Sequence, residues 1–179
     1  TYFLYQSKQI NSKSFSKSII IPAKNEEGNL EELINRIPVF KENYELIIVC
    51  GPSRDNTYEK AVEIRDNCKS LNISVHKQTK NGKANAIWEG INYSNGEVIA
   101  ILDSDISVDP ETLTSFFDII ETGMCDFVNG SRLLYSMEDS AMRIINKFGN
   151  RGFQFLISKL ISLNLSDTLC GTKVFKKEN

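Results

Sequence analysis

Two carboxylates set two residues apart, Asp103 and Asp105, follow directly on the apolar run Glu97-Val98-Ile99-Ala100-Ile101-Leu102. In an extended segment, residues i and i+2 point the same way, so both carboxylates can face one point. Held together, they repel each other unless a proton or a cation lies between them. With oxygen donors and no neighbouring His or Cys, the fitting cation is hard, Mg²⁺ or Mn²⁺, of the kind that bridges to substrate phosphates. The plainer alternative is a solvated loop or a helix cap. Positive groups complement the pair. Lys83 follows Gly82 and opens a helix, where backbone N–H groups and one lysine suit phosphate oxygens, although the spacing is not that of a Walker loop. Arg132, after Gly130-Ser131, offers a bidentate fork for a second phosphate or is an ordinary surface arginine. His76, the single histidine of the chain, fits an ordinary strand residue.

These groups need a scaffold, and the hydrophobic pattern supplies one. Ser18-Ile19-Ile20-Ile21 predicts a buried strand stopped by Pro22, and Glu45 to Val49, Ile73 to His76, Glu97 to Leu102 and Asp126 to Asn129 predict four more. Between them lie helical stripes. Leu30, Leu33, Ile34 and Ile37 share one face, with Asn29 and Glu32 as a capping pair and Pro38 as the stop. A helix is predicted over 57–68, after the turn-rich Gly51-Pro52-Ser53. Ala84, Ile87, Trp88 and Ile91 mark a third helix. Asp109-Pro110-Glu111 signals a fourth, with Asp109 as its cap and Leu113, Phe116, Phe117 and Ile120 as its buried stripe.

Strand and helix alternate throughout, which predicts an α/β fold: a three-layer α/β/α sandwich around a mostly parallel, Rossmann-like sheet. In such sheets the ligand lies beyond the carboxyl ends of the strands. The polar segments 22–26, 50–57, 80–83, 103–105 and 130–132 all fall there and converge on one edge.

Composition bounds the rest. The chain has 179 residues, 41% of them hydrophobic, enough for one core. With 21 Lys and Arg against 23 Asp and Glu, the net charge is −2, which argues against a basic nucleic-acid binder. No apolar run reaches the ~18–20 residues of a membrane span. Cys50, Cys68, Cys125 and Cys170 are scattered, with no Cys-x-x-Cys pair, so neither a zinc site nor a disulfide scaffold is expected, and a reducing compartment is. Residues 140–165 are apolar, basic and free of acids; they fit a helix packed on the sheet or one lying on a membrane surface. The expected organisation is an N-terminal extension, 1–17, ahead of a catalytic domain, 18–179, open to truncation at its C-terminal end.

Taken together, these segments resemble the family-two glycosyltransferases, nucleotide-sugar enzymes of the A-type fold. Pro22-Ala23-Lys24-Asn25-Glu26-Glu27, Ser53-Arg54-Asp55-Asn56-Thr57, Gly82-Lys83 and Asp103-Ser104-Asp105 look like successive motifs of that family. Gly130-Ser131-Arg132 and Asp167-Thr168-Leu169-Cys170-Gly171-Thr172-Lys173 are similar to the branch that holds dolichol-phosphate mannosyltransferase and bacterial polyprenyl-phosphate glycosyltransferases. The resemblance implies that Pro22, Lys24 and Glu26 line the base and ribose of the donor and that Asp55 shapes the same pocket. It implies that Lys83 approaches the pyrophosphate, that Asp103 sits near ribose and metal, and that Asp105 ligates the metal, Mg²⁺ or Mn²⁺. Arg132 and Lys173 would hold a phosphate of donor or acceptor, and Asp167 lies where hydroxyl-glycosylating relatives place a general base.

The implied partners are a UDP- or GDP-type sugar donor and a polyprenyl-phosphate or glycan acceptor, with peripheral membrane contact and no nucleic acid. The implied setting is bacterial cell-envelope polysaccharide assembly in the cytoplasm, at the inner face of the membrane. One departure stands out: where many relatives carry acidic residues just before the Ser-x-Asp-x-Thr turn, this chain has Cys50 and Gly51. A sugar-phosphate nucleotidyltransferase and a non-catalytic nucleotide-sugar binding domain remain alternatives. The first usually shows a Gly-rich first loop with Arg and Lys, and it would release pyrophosphate.

Overall fold

The structure, a computed structural model, describes residues 13–130 and 172–177. The expectations for Arg132, for 140–165 and for Asp167 fall outside the described residues. β1 (Lys17–Ala23), β2 (Tyr44–Cys50), β3 (Asn72–Lys77) and β4 (Val98–Ile101) pair in parallel, in the order β3-β2-β1-β4. All seven residues of β1 are buried, as a central strand flanked on both edges and covered on both faces requires. In register, Ile20 lies between Ile47 of β2 and Ile101 of β4.

Alternation along the strands sorts the core. Ile19, Ile21, Leu46 and Ile48 face α1 (Leu30–Arg36), α2 (Thr57–Asn67) and α4 (Leu113–Glu121), while Ile20, Ile47, Val49 and Ile99 face α3 (Lys83–Tyr93). This is the expected arrangement of helices on both faces of a mostly parallel sheet.

Several local expectations change. β1 runs through Pro22 to Ala23 instead of stopping before it. β6 (Lys173–Lys176), absent from the sequence reading, inserts antiparallel between β4 and β5 (Phe127–Asn129). Its four residues are too short to show a period. Phe15 and Lys17, ahead of the expected boundary at Ser18, are both buried.

α3 does not bury Ala84 and Trp88; Trp88 is 65% exposed, and the helix turns Ala86 and Gly90 to the sheet. A Cβ on Gly90 would sit 2.4 Å from Ile20 Cγ2. The close approach of helix to strand thus selects the smallest residues and pushes the largest one out. Neither Asn29 nor Asp109 caps through its side chain. Asn29 Nδ2 donates to Glu26 Oε2 (2.7 Å). Asp109 accepts from Arg36, which also grips Glu111 through two bonds, and Pro110–Thr112 forms a 3₁₀ turn before α4 begins.

Candidate active site

After β1 the chain winds outward through β2 and β3, then crosses back to β4 on the other side of β1. The strand order reverses between β1 and β4, and a crevice opens beyond their carboxyl ends. There, Pro22, Lys24, Glu26, Lys83, Asp103 and Asp105 line one recess of about 280 Å³, together with Pro52, Gln78, Gly82 and Ser104. Six residues singled out from sequence therefore meet in one place. A second recess of about 330 Å³, lined by Cys50, Gly51, Ser53, Asp55, Tyr58, Glu59 and Lys77, shares Pro52 and Gln78 with the first.

The walls are built by short hydrogen bonds between strand-end loops. Asn25 adopts φ 57°, a left-handed conformation that asparagine tolerates. Its N–H donates to Ser53 Oγ (3.0 Å) and its Oδ1 accepts from the Arg54 N–H (2.8 Å). The Glu26 N–H donates to Thr57 Oγ1 (2.9 Å), and the Glu27 N–H to Asp55 Oδ2 (3.2 Å). Asp55 also accepts from the hydroxyl and the N–H of Thr57, and the Thr57 hydroxyl bond leads in holding its carboxyl below the ordinary value. Asp55 thus borders the second recess while its oxygens fasten the β1 loop to the β2 loop. Cys50, on the floor of that recess, is buried, and its thiol is pushed up to about 11 by desolvation.

The carboxylate pair is asymmetric. Asp103 is 8% exposed. Lys83 Nζ approaches its Oδ1 to 2.6 Å, but off the hydrogen-bond direction, so that buried oxygen accepts no hydrogen bond. Asp105 is exposed and accepts the Ser107 N–H at 3.0 Å. Ile106 between them has φ 54°, costly for a β-branched residue and the kind of strain that gathers at functional loops. Ser104, buried, donates to the Pro22 carbonyl (3.0 Å) and ties the end of β1 to the carboxylate loop. A buried carboxylate oxygen without a hydrogen bond beside a second, open carboxylate is a donor set that fits a hard divalent ion. Among the described residues no third His, Cys, Asp or Glu joins them.

Lys173 stands at the first position of β6, in register with Ile101 and Asn129, on the same sheet edge as Asp103. Two groups were missed from sequence. Ser104 lay inside the carboxylate motif, unremarked. Gln78 lies one residue beyond β3, the position where the strand-end rule would have found it.

The sequence signature described as "Glycosyl transferase family 2" matches residues 18–179. The chain belongs to glycosyl transferase family 2. Its relatives include the "Dolichol-phosphate mannosyltransferase" of Pyrococcus furiosus, 36% identical over 118 residues, which covers 64% of this chain and 32% of that protein. The "Undecaprenyl-phosphate 4-deoxy-4-formamido-L-arabinose transferase" of Yersinia pestis is 27% identical over 164 residues, 89% of this chain and 48% of that protein. This family-2 chain therefore spans 32% to 48% of the length of these curated relatives. Among solved structures, glucosyl-3-phosphoglycerate synthase from Mycobacterium tuberculosis, in complex with Mn²⁺, UDP and phosphoglyceric acid, aligns with a TM-score of 0.68 at 22% identity. The alignment covers 92% of this chain and 57% of that one. Mannosyl-3-phosphoglycerate synthase from Rubrobacter xylanophilus gives a TM-score of 0.69 at 16% identity, over 92% and 54%. Both support the same glycosyltransferase fold. Among the described residues no helix of this family-2 domain is long and apolar enough to cross a membrane.

Proposed function

We propose that this domain transfers a sugar, with inversion, from a nucleoside diphosphate sugar to a polyprenyl phosphate. The observation that carries the reading is the pairing of buried Asp103, whose Oδ1 meets the Lys83 ammonium at 2.6 Å, with exposed Asp105 in one crevice. Asp103 and Asp105 would hold Mg²⁺ or Mn²⁺, which supplies charge stabilisation to the departing diphosphate when bound. Lys83, half-exposed at the start of α3, turns its ammonium into the same space. It would place a second positive charge where the diphosphate leaves.

Pro22, Lys24, Glu26 and Asp55 are the donor's base and ribose contacts in this reading, with Asp55 acting through the loop it fastens. The bond from the anomeric carbon to the diphosphate breaks, and one to the acceptor oxygen forms on the opposite face. A polyprenyl phosphate is already an anion near neutral pH, so no strong base is needed. Arg132 and Lys173 would orient it. For a sugar hydroxyl acceptor, Asp167 is the candidate base. The names of two curated relatives, a dolichol-phosphate mannosyltransferase and an undecaprenyl-phosphate sugar transferase, support the anionic acceptor, and in this reading residues 18–179 are a catalytic unit working at the inner face of a bacterial cytoplasmic membrane.

The test is transfer of radiolabelled sugar from UDP- and GDP-linked donors to polyprenyl phosphate, with and without Mn²⁺ or Mg²⁺. Metal-dependent product is expected, reduced about 100-fold or more in Asp105→Ala. Full activity after chelation would sink the metal role. Transfer to free sugars but none to the lipid phosphate would sink the acceptor assignment. Pyrophosphate release from a nucleoside triphosphate would favour a nucleotidyltransferase, and donor binding with neither turnover nor hydrolysis a non-catalytic binding domain.

A further inference from the structure

Where the two recesses join, Pro52 and Gln78 border both, and of the two only Gln78 has a hydrogen-bonding side chain. Its carboxamide is held in one orientation. Nε2 donates to the Gly82 carbonyl at 2.7 Å and to the Lys80 carbonyl. Turning the amide over would set its oxygen against two carbonyl oxygens, so the assignment of nitrogen and oxygen is fixed by chemistry. Both N–H groups are thereby committed, and what Gln78 presents to the crevice is an acceptor alone. Its main chain is anchored as well, with the Gln78 N–H donating to the Cys50 carbonyl at 2.8 Å. Glu89 of α3 pins the adjoining loop by accepting from the Thr79 and Lys80 N–H groups.

Gly51 explains where that acceptor points. A Cβ built on Gly51 would lie 2.8 Å from Gln78 Oε1, with the Lys24 stem 3.5 Å away on another side. The oxygen fills the space that a side chain at 51 would take. No donor among the described residues reaches it, although it sits in a polar groove beside Lys24 and Lys77. A half-buried acceptor with a fixed orientation and no internal partner is placed for an incoming N–H.

We propose that Gln78 Oε1 reads the nucleobase of the donor, by accepting the ring N–H at the centre of the base's pairing edge. The inference rests on the donor-cleft reading above and narrows it to a base class. Uracil at N3 and guanine at N1 carry a hydrogen there. Cytosine and adenine carry a lone pair at the corresponding atom, which would face Oε1 acceptor to acceptor. The selecting group is a neutral amide from the β3 end, made possible by the absence of a side chain at 51, and it places no further negative charge near the diphosphate.

Isothermal titration of the full chain with UDP, GDP, CDP and ADP, in the presence of Mn²⁺, tests this. Wild type is expected to bind UDP or GDP about tenfold or more tightly than CDP and ADP, the scale of one hydrogen bond net of solvent together with one avoided repulsion. Gln78→Leu should remove that preference by weakening only the nucleotide whose base carries that ring N–H. N3-methyl-UDP and N1-methyl-GDP should bind wild type and variant alike. Gly51→Ala sets a methyl 2.8 Å from Oε1, so the amide must shift from its place, and the variant should lower the same preference. Loss of affinity for all four nucleotides in equal measure would overturn the inference, since that is what a mere loop latch would give. Unchanged preference in Gln78→Leu would overturn it too, while leaving the donor cleft standing. If no nucleotide binds wild type, the donor-cleft reading fails and this inference with it.

Discussion

Two buried charges at opposite ends of adjacent strands are treated in opposite ways. Lys17 opens β1 and is 3% exposed. Its ammonium donates to Glu42 Oε2 at 2.9 Å, Glu121 Oε1 at 2.7 Å and the Phe15 carbonyl at 3.2 Å, and it lies over the rings of Phe40 and Phe117. All three of its donors are used. Asp103 follows β4 at the other end of the sheet and is 8% exposed. It meets one cation, Lys83, whose side chain is 56% exposed, and one of its buried oxygens accepts no hydrogen bond. Burying a charge is costly unless it is paired and hydrogen-bonded. At the Lys17 end the fold has met that requirement internally. At the Asp103 end it is met by one half-exposed lysine, an incomplete pairing that the proposed metal site would complete.

The largest effect expected from breaking this contrast is at the closed end. Lys17→Met should lower unfolding stability by about 3 kcal/mol, because Glu42 and Glu121 lose their cation within a mostly buried cluster; urea denaturation reads it directly. The mirror experiment at the open end should reverse the pattern. Asp103→Asn is expected to reduce sugar transfer about 100-fold while leaving the urea midpoint unchanged or raised, since an under-satisfied charge is removed. A large stability loss in Asp103→Asn would break the comparison.

Acid sharpens the contrast further. The Lys17 hydrogen bond is the main reason the Glu42 carboxyl is held below its ordinary 4.5. A depressed folded value means that stabilisation is present above the unfolded value and is lost as pH falls through the folded one. The stability of wild type should therefore fall more steeply below about pH 4.5 than that of Lys17→Met, in urea midpoints measured from pH 7 to pH 3. The smallest effect is at the floor of the crevice. The Cys50 thiol, buried and raised to about 11, should react with iodoacetamide at pH 8 more slowly than the half-buried Cys68 and Cys125, as read by peptide mass mapping. Equal rates would show that the crevice floor is as open as its walls.

The alternation of apolar runs and helical stripes was enough to give a mostly parallel sheet covered by helices and the edge on which the strand-end loops gather, but not the antiparallel β6. The positions of Lys24, Glu26, Lys83, Asp103 and Asp105 in one crevice followed from the strand-end rule alone, because parallel crossovers return every strand's carboxyl end to the same side. Details set by contacts distant in sequence were not legible. The face α3 buries depends on how near Ile20 comes, which the Ala84-Ile87-Trp88-Ile91 spacing does not contain. Asp109 had the composition of a cap, but Arg36, 73 positions away, binds its carboxylate instead. Gln78 belonged to no motif, and where its oxygen sits depends on Gly51, one residue beyond the end of β2.

Sequence by itself determined the alternating architecture, the class of chemistry and the residue types available for it, since these depend on short-range periodicity and on what carboxylates and ammonium groups can do. The tertiary structure alone decided which charges are satisfied. Lys17 and Asp103 are single ionisable residues at the ends of similar apolar strands. Only the elements packed around each of them supply two carboxylates, a carbonyl and two rings to one and a single solvent-facing lysine to the other. Desolvation is a property of the assembled surroundings, and no local pattern encodes it.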